Sequence, residues 1–146
     1  MTLISENIRL ATDSDIDCMR KIRMQSSDNP VASANDISDR NYHFYLHKYG
    51  RVWVYLDNKQ IVGYCICSTK ESSIYALFVD QTYQRQGIGR QLLNHCLAWF
   101  KLNQFSEIYL ATASNSQACH FYLSQGWIIC HQGENTTSFK INLLTH

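Results

Sequence analysis

Residues 80–100 read DQTYQRQGIGRQLLNHCLAWF, and the fold turns on how this stretch is read. Beyond the glycines, Leu92, Leu93, Cys96, Leu97 and Phe100 follow an i, i+1, i+4, i+5, i+8 spacing, which predicts a helix with one buried face. Just before the corner, SSIYALFV is a β-branched and aromatic run that predicts a strand. The corner thus joins a strand to a helix N-terminus, where backbone N–H groups lack intrahelical partners and the macrodipole is positive. Gly87 and Gly89 remove side chains so that an anion can approach the backbone, and Arg85 and Arg90 add positive charge. A diphosphate suits such a corner. Two other phosphate loops do not fit: no lysine follows the glycines as a P-loop requires. The dinucleotide fingerprint needs a small residue where Leu92 stands and an acid ending the next strand, whereas Glu107 begins it.

Working outward, NIRLAT predicts a first strand, and TDSD supplies capping residues for a helix on which Ile16, Met19 and Ile22 recur at near-helical spacing. SSDNPVASAND predicts a loop around the single proline, and ISDRNYHFYLHKYG a second helix stopped at Gly50. RVWVYL and QIVGYCICS predict strands joined by the turn DNK. After the glycine-corner helix come a strand EIYLATA, a short helix NSQACHFYLSQG with Asn115 at its start, and closing strands WIICHQ and TSFKINLL. Three strands in succession imply antiparallel pairing, and the central strand–helix–strand unit implies one parallel pair. The expected class is a mixed-sheet α/β domain.

At 146 residues, with 45% hydrophobic and 17% charged residues, the chain suits one domain spanning 1–146 with one ordinary core. A net charge of +1 gives no global field toward nucleic acid or a membrane. The N-terminus has acidic residues and no signal-like apolar run, and no run reaches the about 18 apolar residues of a membrane span, so the expected location is cytoplasmic. Six cysteines without an export signal argue against a disulfide framework. His95-Cys96, Cys119-His120 and Cys130-His131 are neighbours whose side chains point apart, which makes poor chelates. No metal is expected.

Gln84-Arg85-Gln86-Gly87-Ile88-Gly89 has the form Q/R-x-x-G-x-G/A and follows a strand ending LFV. Farther on, ASNSQACHFYLSQGW carries N-x-x-A-x-x-F-Y-x-x-x-G. Together these resemble the Gcn5-related N-acetyltransferase (GNAT) superfamily over nearly the whole chain, from IRLATDSD onward. The resemblance implies a mostly antiparallel sheet whose central parallel pair is splayed to admit coenzyme A. It implies that the loop from Gln84 to Gln91, through Arg85, Gln86, Gly87, Ile88, Gly89 and Arg90, binds the pyrophosphate of acetyl-CoA through backbone N–H groups. The pantetheine arm is then expected to pair with Leu77, Phe78 and Val79, with the Val79 N–H donating to the thioester oxygen. Asn115 falls where the family bonds the pantetheine amides, and Tyr122 where a tyrosine protonates the departing thiolate.

The family's general bases do not carry over. The glutamate of relatives that acetylate a ribosomal-protein N-terminus is replaced by Leu110, and that of histone-acetylating relatives by Ser73. Glu71 shares the strand parity of Ser73 and is one candidate; a water chain is the other. NYHFYLHKY offers Tyr42, His43, Tyr45, His47 and Tyr49 as an aromatic acceptor wall, with half of them expected to face the core and Asp36 and Asp39 close by. The implied activity is direct transfer of an acetyl group from acetyl-CoA to a primary amine of a small molecule or peptide. The alternatives are a non-catalytic acyl-CoA sensor, another acyl group, or a hydroxyl acceptor. Dimers are common in the superfamily, so a homodimer is the assembly the resemblance allows.

Overall fold

The structure is a computed structural model that describes residues 7–25 and 39–145. Among the described residues, eleven α-helices and strands follow the order expected from the sequence. They are β1 (Ile8–Leu10), α1 (Ile16–Met24), α2 (Asp39–His47), β2 (Gly50–Asp57), β3 (Gln60–Ser68) and β4 (Ser73–Val79). Then come α3 (Ile88–Leu102), β5 (Glu107–Ala113), α4 (Gln117–Ser124), β6 (Ile128–Gln132) and β7 (Thr136–Asn142). The loop expected around Pro30, with Asp36, lies outside the described residues.

All seven strands form one sheet in the order β1-β2-β3-β4-β5-β7-β6. Every neighbouring pair is antiparallel except β4 and β5. The β2–β3 hairpin turns through Asn58 and Lys59 with φ of 50° and 68°. Two consecutive positive φ values match the right-handed twist of the strands they join. β3 is buried from Val62 to Ser68 because helices cover both of its faces.

The helices divide between those faces. On one, α3 packs Leu92, Leu93, Cys96 and Phe100 against Val62, Ile74, Ile108 and Phe139, with Tyr122 of α4 in the same cluster. On the other, Ile16, Met19 and Ile22 of α1 and Tyr42 and Tyr45 of α2 pack on Val52, Val54, Tyr64, Ile66 and Ala76. The chain enters α1 through a 3-10 turn, Asp13–Asp15. There Asp15 accepts from the Thr12 N–H at 2.8 Å and from both guanidinium nitrogens of Arg9 at 2.8 and 3.2 Å.

One expectation is corrected here. Gly50 does not stop α2, which ends at His47 with the N–H groups of Lys48 and Tyr49 both turned back to the Phe44 carbonyl. Gly50 instead opens β2, where a Cβ would collide with the Cys67 carbonyl of the adjacent strand. The glycine serves close strand approach and not a helix cap.

Candidate active site

β4 and β5 are held together only at their amino ends, where Ser73 faces Tyr109 and the Tyr109 N–H donates to the Ser72 carbonyl at 2.9 Å. Beyond that pair the strands diverge. A cavity of about 350 Å³ opens between β4, the start of α3 and α4. Its wall is built from Leu77 and Val79 of β4, from the loop residues Gln84, Arg85 and Gly87, and from Ile88, Gly89 and Arg90 of α3. Phe121 and Tyr122 close it from α4.

Strand alternation decides which backbone groups face the opening. The Asp80 N–H donates to the Val62 carbonyl at 2.8 Å, toward β3. Alternation along β4, in unbroken register from Ala76 to Val79, sends the Phe78 N–H the same way. The N–H groups of Leu77 and Val79 therefore point toward the diverging side. Phe78 takes no place in the cavity wall: its ring packs on the other face, 5.1 Å from the Arg23 guanidinium carbon and 5.8 Å from the Tyr64 ring. Only alternate residues of the expected trio reach the cleft.

After β4 the loop is fastened by its own side chains. Asp80 accepts from the Thr82 N–H and hydroxyl at 2.9 and 2.8 Å, and Gln84 Nε2 donates to the Val79 carbonyl at 3.2 Å. Arg85 and Gly87 both adopt left-handed conformations, with φ of 65° and 82°. Alternating backbone handedness of this kind turns successive N–H groups inward as an anion nest. For arginine that conformation costs about 1–2 kcal/mol, a strain of the kind held at ligand sites. The Gln91 N–H bonds the Gly87 carbonyl at 3.0 Å and closes the first turn of α3. Ile88, Gly89 and Arg90 supply the helix-end donors, while Gln86 and Gln91 lie exposed outside the cavity wall. At Gly89 an added Cβ would sit 3.7 Å from Val79 Cγ2 and 3.9 Å from Phe121 Cζ, so hydrogen there keeps the cleft wide.

Tyr122 is 6% exposed, with its ring against Trp127 and Phe139 at centroid distances of 5.6 and 6.0 Å. Burial, reinforced by the nearby Cys65 and Cys96 thiols, pushes its ionisation above the ordinary tyrosine range. The phenol is therefore held neutral, as a proton donor must be. Asn115 was expected at the start of this helix. The cap is instead Ser116, whose Oγ accepts from the Cys119 N–H at 3.3 Å. Asn115 precedes it, exposed and left-handed at φ 60°, outside the cavity wall.

Glu71 lies in the turn between β3 and β4 and not on the strand, so the parity expected for it does not apply. Its Oε1 accepts from the Tyr45 hydroxyl at 3.3 Å and the Ser68 hydroxyl at 3.2 Å. Burial, with the Glu71 charge next, pushes Tyr45 up to about 12. From Ser73 to Val79 the strand rises roughly 20 Å, so Glu71 sits at the far end of β4 from the nest. Leu110 is core, at 6% exposed. Within the expected aromatic wall, Tyr42 is fully buried with its hydroxyl 3.0 Å from that of Tyr64, whereas His43 and His47 are exposed.

Two side-chain clusters escaped the sequence reading. Cys65 and Cys67, two apart on β3, meet Cys96 of α3 with all three sulfurs within 4.8 Å of one another, fully buried. Burial opposes a thiolate there and keeps Cys67 and Cys96 raised, while hydrogen bonds from those two bring Cys65 below the ordinary thiol range. The second cluster joins Asp13 to His43 and His47 on the protein surface.

Comparison with known proteins agrees with this geometry. The family model for the acetyltransferase (GNAT) family matches residues 16–127. The chain therefore belongs to that family, whose class of chemistry is acyl transfer from an acyl-coenzyme A. No curated protein sequence matches. Among solved structures, the paia N-acetyltransferase of Thermoplasma acidophilum in complex with coenzyme A is similar at a TM-score of 0.81 and 12% identity, covering 95% of this chain and 99% of that one. The ribosomal-protein-S18-alanine N-acetyltransferase of Escherichia coli is similar at 0.77 and 18%, covering 93% and 92%. A Bacillus anthracis structure in complex with acetyl coenzyme A is similar at 0.72 and 20%, covering 92% and 98%. At these identities the likeness is one of fold.

Proposed function

We infer that this member of the GNAT family moves an acetyl group from acetyl-CoA to a primary amine of a small molecule or peptide, directly and within a ternary complex. The observation that carries the reading is the continuity of one cavity. It runs from the nest at Arg85–Gly87 along the open side of Leu77 and Val79 to Tyr122. The diphosphate belongs at the nest and the α3 N-terminus. The pantetheine amides pair with the diverging edge of β4 as an added strand would. The thioester then lies between β4 and Tyr122.

In that arrangement the neutral amine nitrogen attacks the thioester carbonyl carbon, forming the C–N bond and an oxyanion. The Val79 N–H, directed to the open side, stabilises that charge. Collapse breaks the C–S bond, and the Tyr122 hydroxyl gives its proton to the departing sulfur. The nitrogen's surplus proton leaves to solvent, from which the phenolate is reprotonated. Glu71 is a poor base for this step: it is bound to Tyr45 and Ser68 at the other end of β4. Water carries the proton in its place.

The experiment is release of free thiol from acetyl-CoA against a panel of primary amines, with the acetylated product identified by mass spectrometry. Thiol release that depends on an amine supports the reading. Saturable acetyl-CoA binding with no thiol release for any amine would make the chain an acyl-CoA sensor. Turnover only with hydroxyl acceptors or only with longer acyl donors would move it to a different transferase.

A further inference from the structure

On the surface of the α1/α2 layer, away from the cavity, two histidines and an aspartate share one point. His43 and His47 stand one helical turn apart on α2, so both rings leave the same face of the helix. Their planes are nearly parallel, at 12°, with centroids 6.0 Å apart. Both direct a ring nitrogen at the same carboxylate oxygen of Asp13, from the 3-10 turn that leads into α1. His43 Nδ1 is 3.2 Å from Asp13 Oδ1, and His47 Nε2 is 2.6 Å from it. The three side chains are about half exposed, at 51%, 60% and 56%.

We propose that Asp13, His43 and His47 form a binding site for a divalent transition-metal ion, with zinc as the best match. Two imidazoles and one carboxylate are ligands that zinc takes, at about 2.0–2.2 Å each. Tetrahedral ligands at that distance stand roughly 3.3 Å apart. The His43–Asp13 separation already has that value, and the His47–Asp13 separation grows to it when Asp13 Oδ1 moves outward by less than about 1 Å. The remaining position faces solvent and takes water. Hard cations such as magnesium are excluded by the imidazoles, since they prefer all-oxygen shells.

The consequence is a clamp. Asp13 comes from the chain entering α1, and both histidines come from α2, so a bound ion ties the two helices of this layer together. The inner side of α2 carries Tyr45, which binds Glu71, and Tyr42, which meets Tyr64 in the core. Ion binding therefore stiffens the layer through its own helix, without touching the acetyl-CoA cavity. Ion binding at this surface does not depend on the transfer reaction.

The test uses the full chain without a histidine tag. Cobalt(II) is titrated by visible absorption and zinc(II) by calorimetry, with circular dichroism on each variant to confirm the fold. The expected result is one ion per chain with a micromolar Kd and a tetrahedral cobalt spectrum that lacks thiolate-to-cobalt charge transfer. Zinc at a hundred times its Kd should multiply the folding equilibrium constant by about a hundred. His43→Ala, His47→Ala and Asp13→Asn should each weaken binding at least about tenfold. All three positions are exposed, so the variants should fold. No saturable binding, affinity unchanged in all three variants, or a thiolate band placing cobalt at Cys65, Cys67 and Cys96 would each overturn the assignment.

Discussion

Replacement of Tyr122 by phenylalanine tests the chemistry most directly, because it removes one oxygen and nothing else. The ring stays in its place between Trp127 and Phe139, so the near-isosteric change should cost the fold less than about 1.5 kcal/mol. Coenzyme A affinity should also survive, since the nest and the open edge of β4 are untouched. What is lost is the neutral donor proposed for the departing sulfur. Burial and the adjacent thiols push the phenol's ionisation up, so it is fully protonated over the whole working range. A general acid contributes about 10²–10⁴-fold. A thiolate leaves with little help, which places the benefit at the low end, about a hundredfold or 2.7 kcal/mol of activation free energy. Because the proton is given only in the transition state, the loss should fall on kcat with KM for acetyl-CoA little changed. The assay is thiol release at saturating donor and amine, with a single-turnover measurement to establish that chemistry limits the rate. A Tyr122→Phe enzyme that matches wild type under those conditions would refute the role, leaving Tyr122 as packing.

Gly87→Glu should lower affinity for acetyl-CoA at least tenfold by calorimetry, about 1.4 kcal/mol, because it strains a left-handed position at φ 82° and sets a negative charge in the nest. Unchanged affinity in the folded variant would place the diphosphate elsewhere. Asp15→Asn should destabilise the protein by about 1–2 kcal/mol in urea unfolding at neutral pH, through loss of the paired contacts to Arg9 and the Thr12 N–H. The Arg9 hydrogen bond holds Asp15 below its ordinary range, so its contribution is present above about pH 4 and lost on acidification. The gap between wild type and variant should therefore narrow as pH falls below about 4. Tyr45 behaves in the opposite sense: between pH 10 and about 12 the unfolded chain releases a proton that the folded chain keeps, so stability falls as pH rises. Tyr45→Phe should show a shallower alkaline decline in melting temperature over that window, and an unaltered slope would count against the burial of this phenol.

The glycine corner was legible because its cause is local. Strand, tight corner and amphipathic helix follow from residues within one another's reach, and Leu92, Leu93, Cys96 and Phe100 occupy the buried face that the spacing predicts. The central parallel pair followed from element order alone. Long-range contact decided the rest. Gly50 looks like a helix stop until the Cys67 carbonyl beside it is seen. Glu71 shares a parity with β4 only if the strand begins two residues earlier than it does. Phe78 fell away from the cleft by the same two-residue alternation that sends Leu77 and Val79 toward it. For the surface trio, the i, i+4 spacing of His43 and His47 was visible in the sequence, but Asp13 is 30 residues from His43 and only folding brings it there.

Why the proposed reaction site lies where it does follows from the sheet's own hydrogen bonding. Five of the six neighbouring strand pairs are antiparallel, but β4 and β5 run parallel and pair at Ser73 and Tyr109 alone. Past that point the N–H groups of Leu77 and Val79 have no β5 partner among the described residues. Leu77 and Val79 are half-exposed along the cavity, so these donors are open to an incoming ligand. An extended ligand with alternating amides can pair with them as an added strand would. The α3 N-terminus and Tyr122 both line the cavity that this divergence opens, so a ligand seated on the free edge of β4 would meet both. α3 alone could bind a phosphate, and Tyr122 alone would be a core aromatic. The gap in the sheet brings the two to the wall of one cavity.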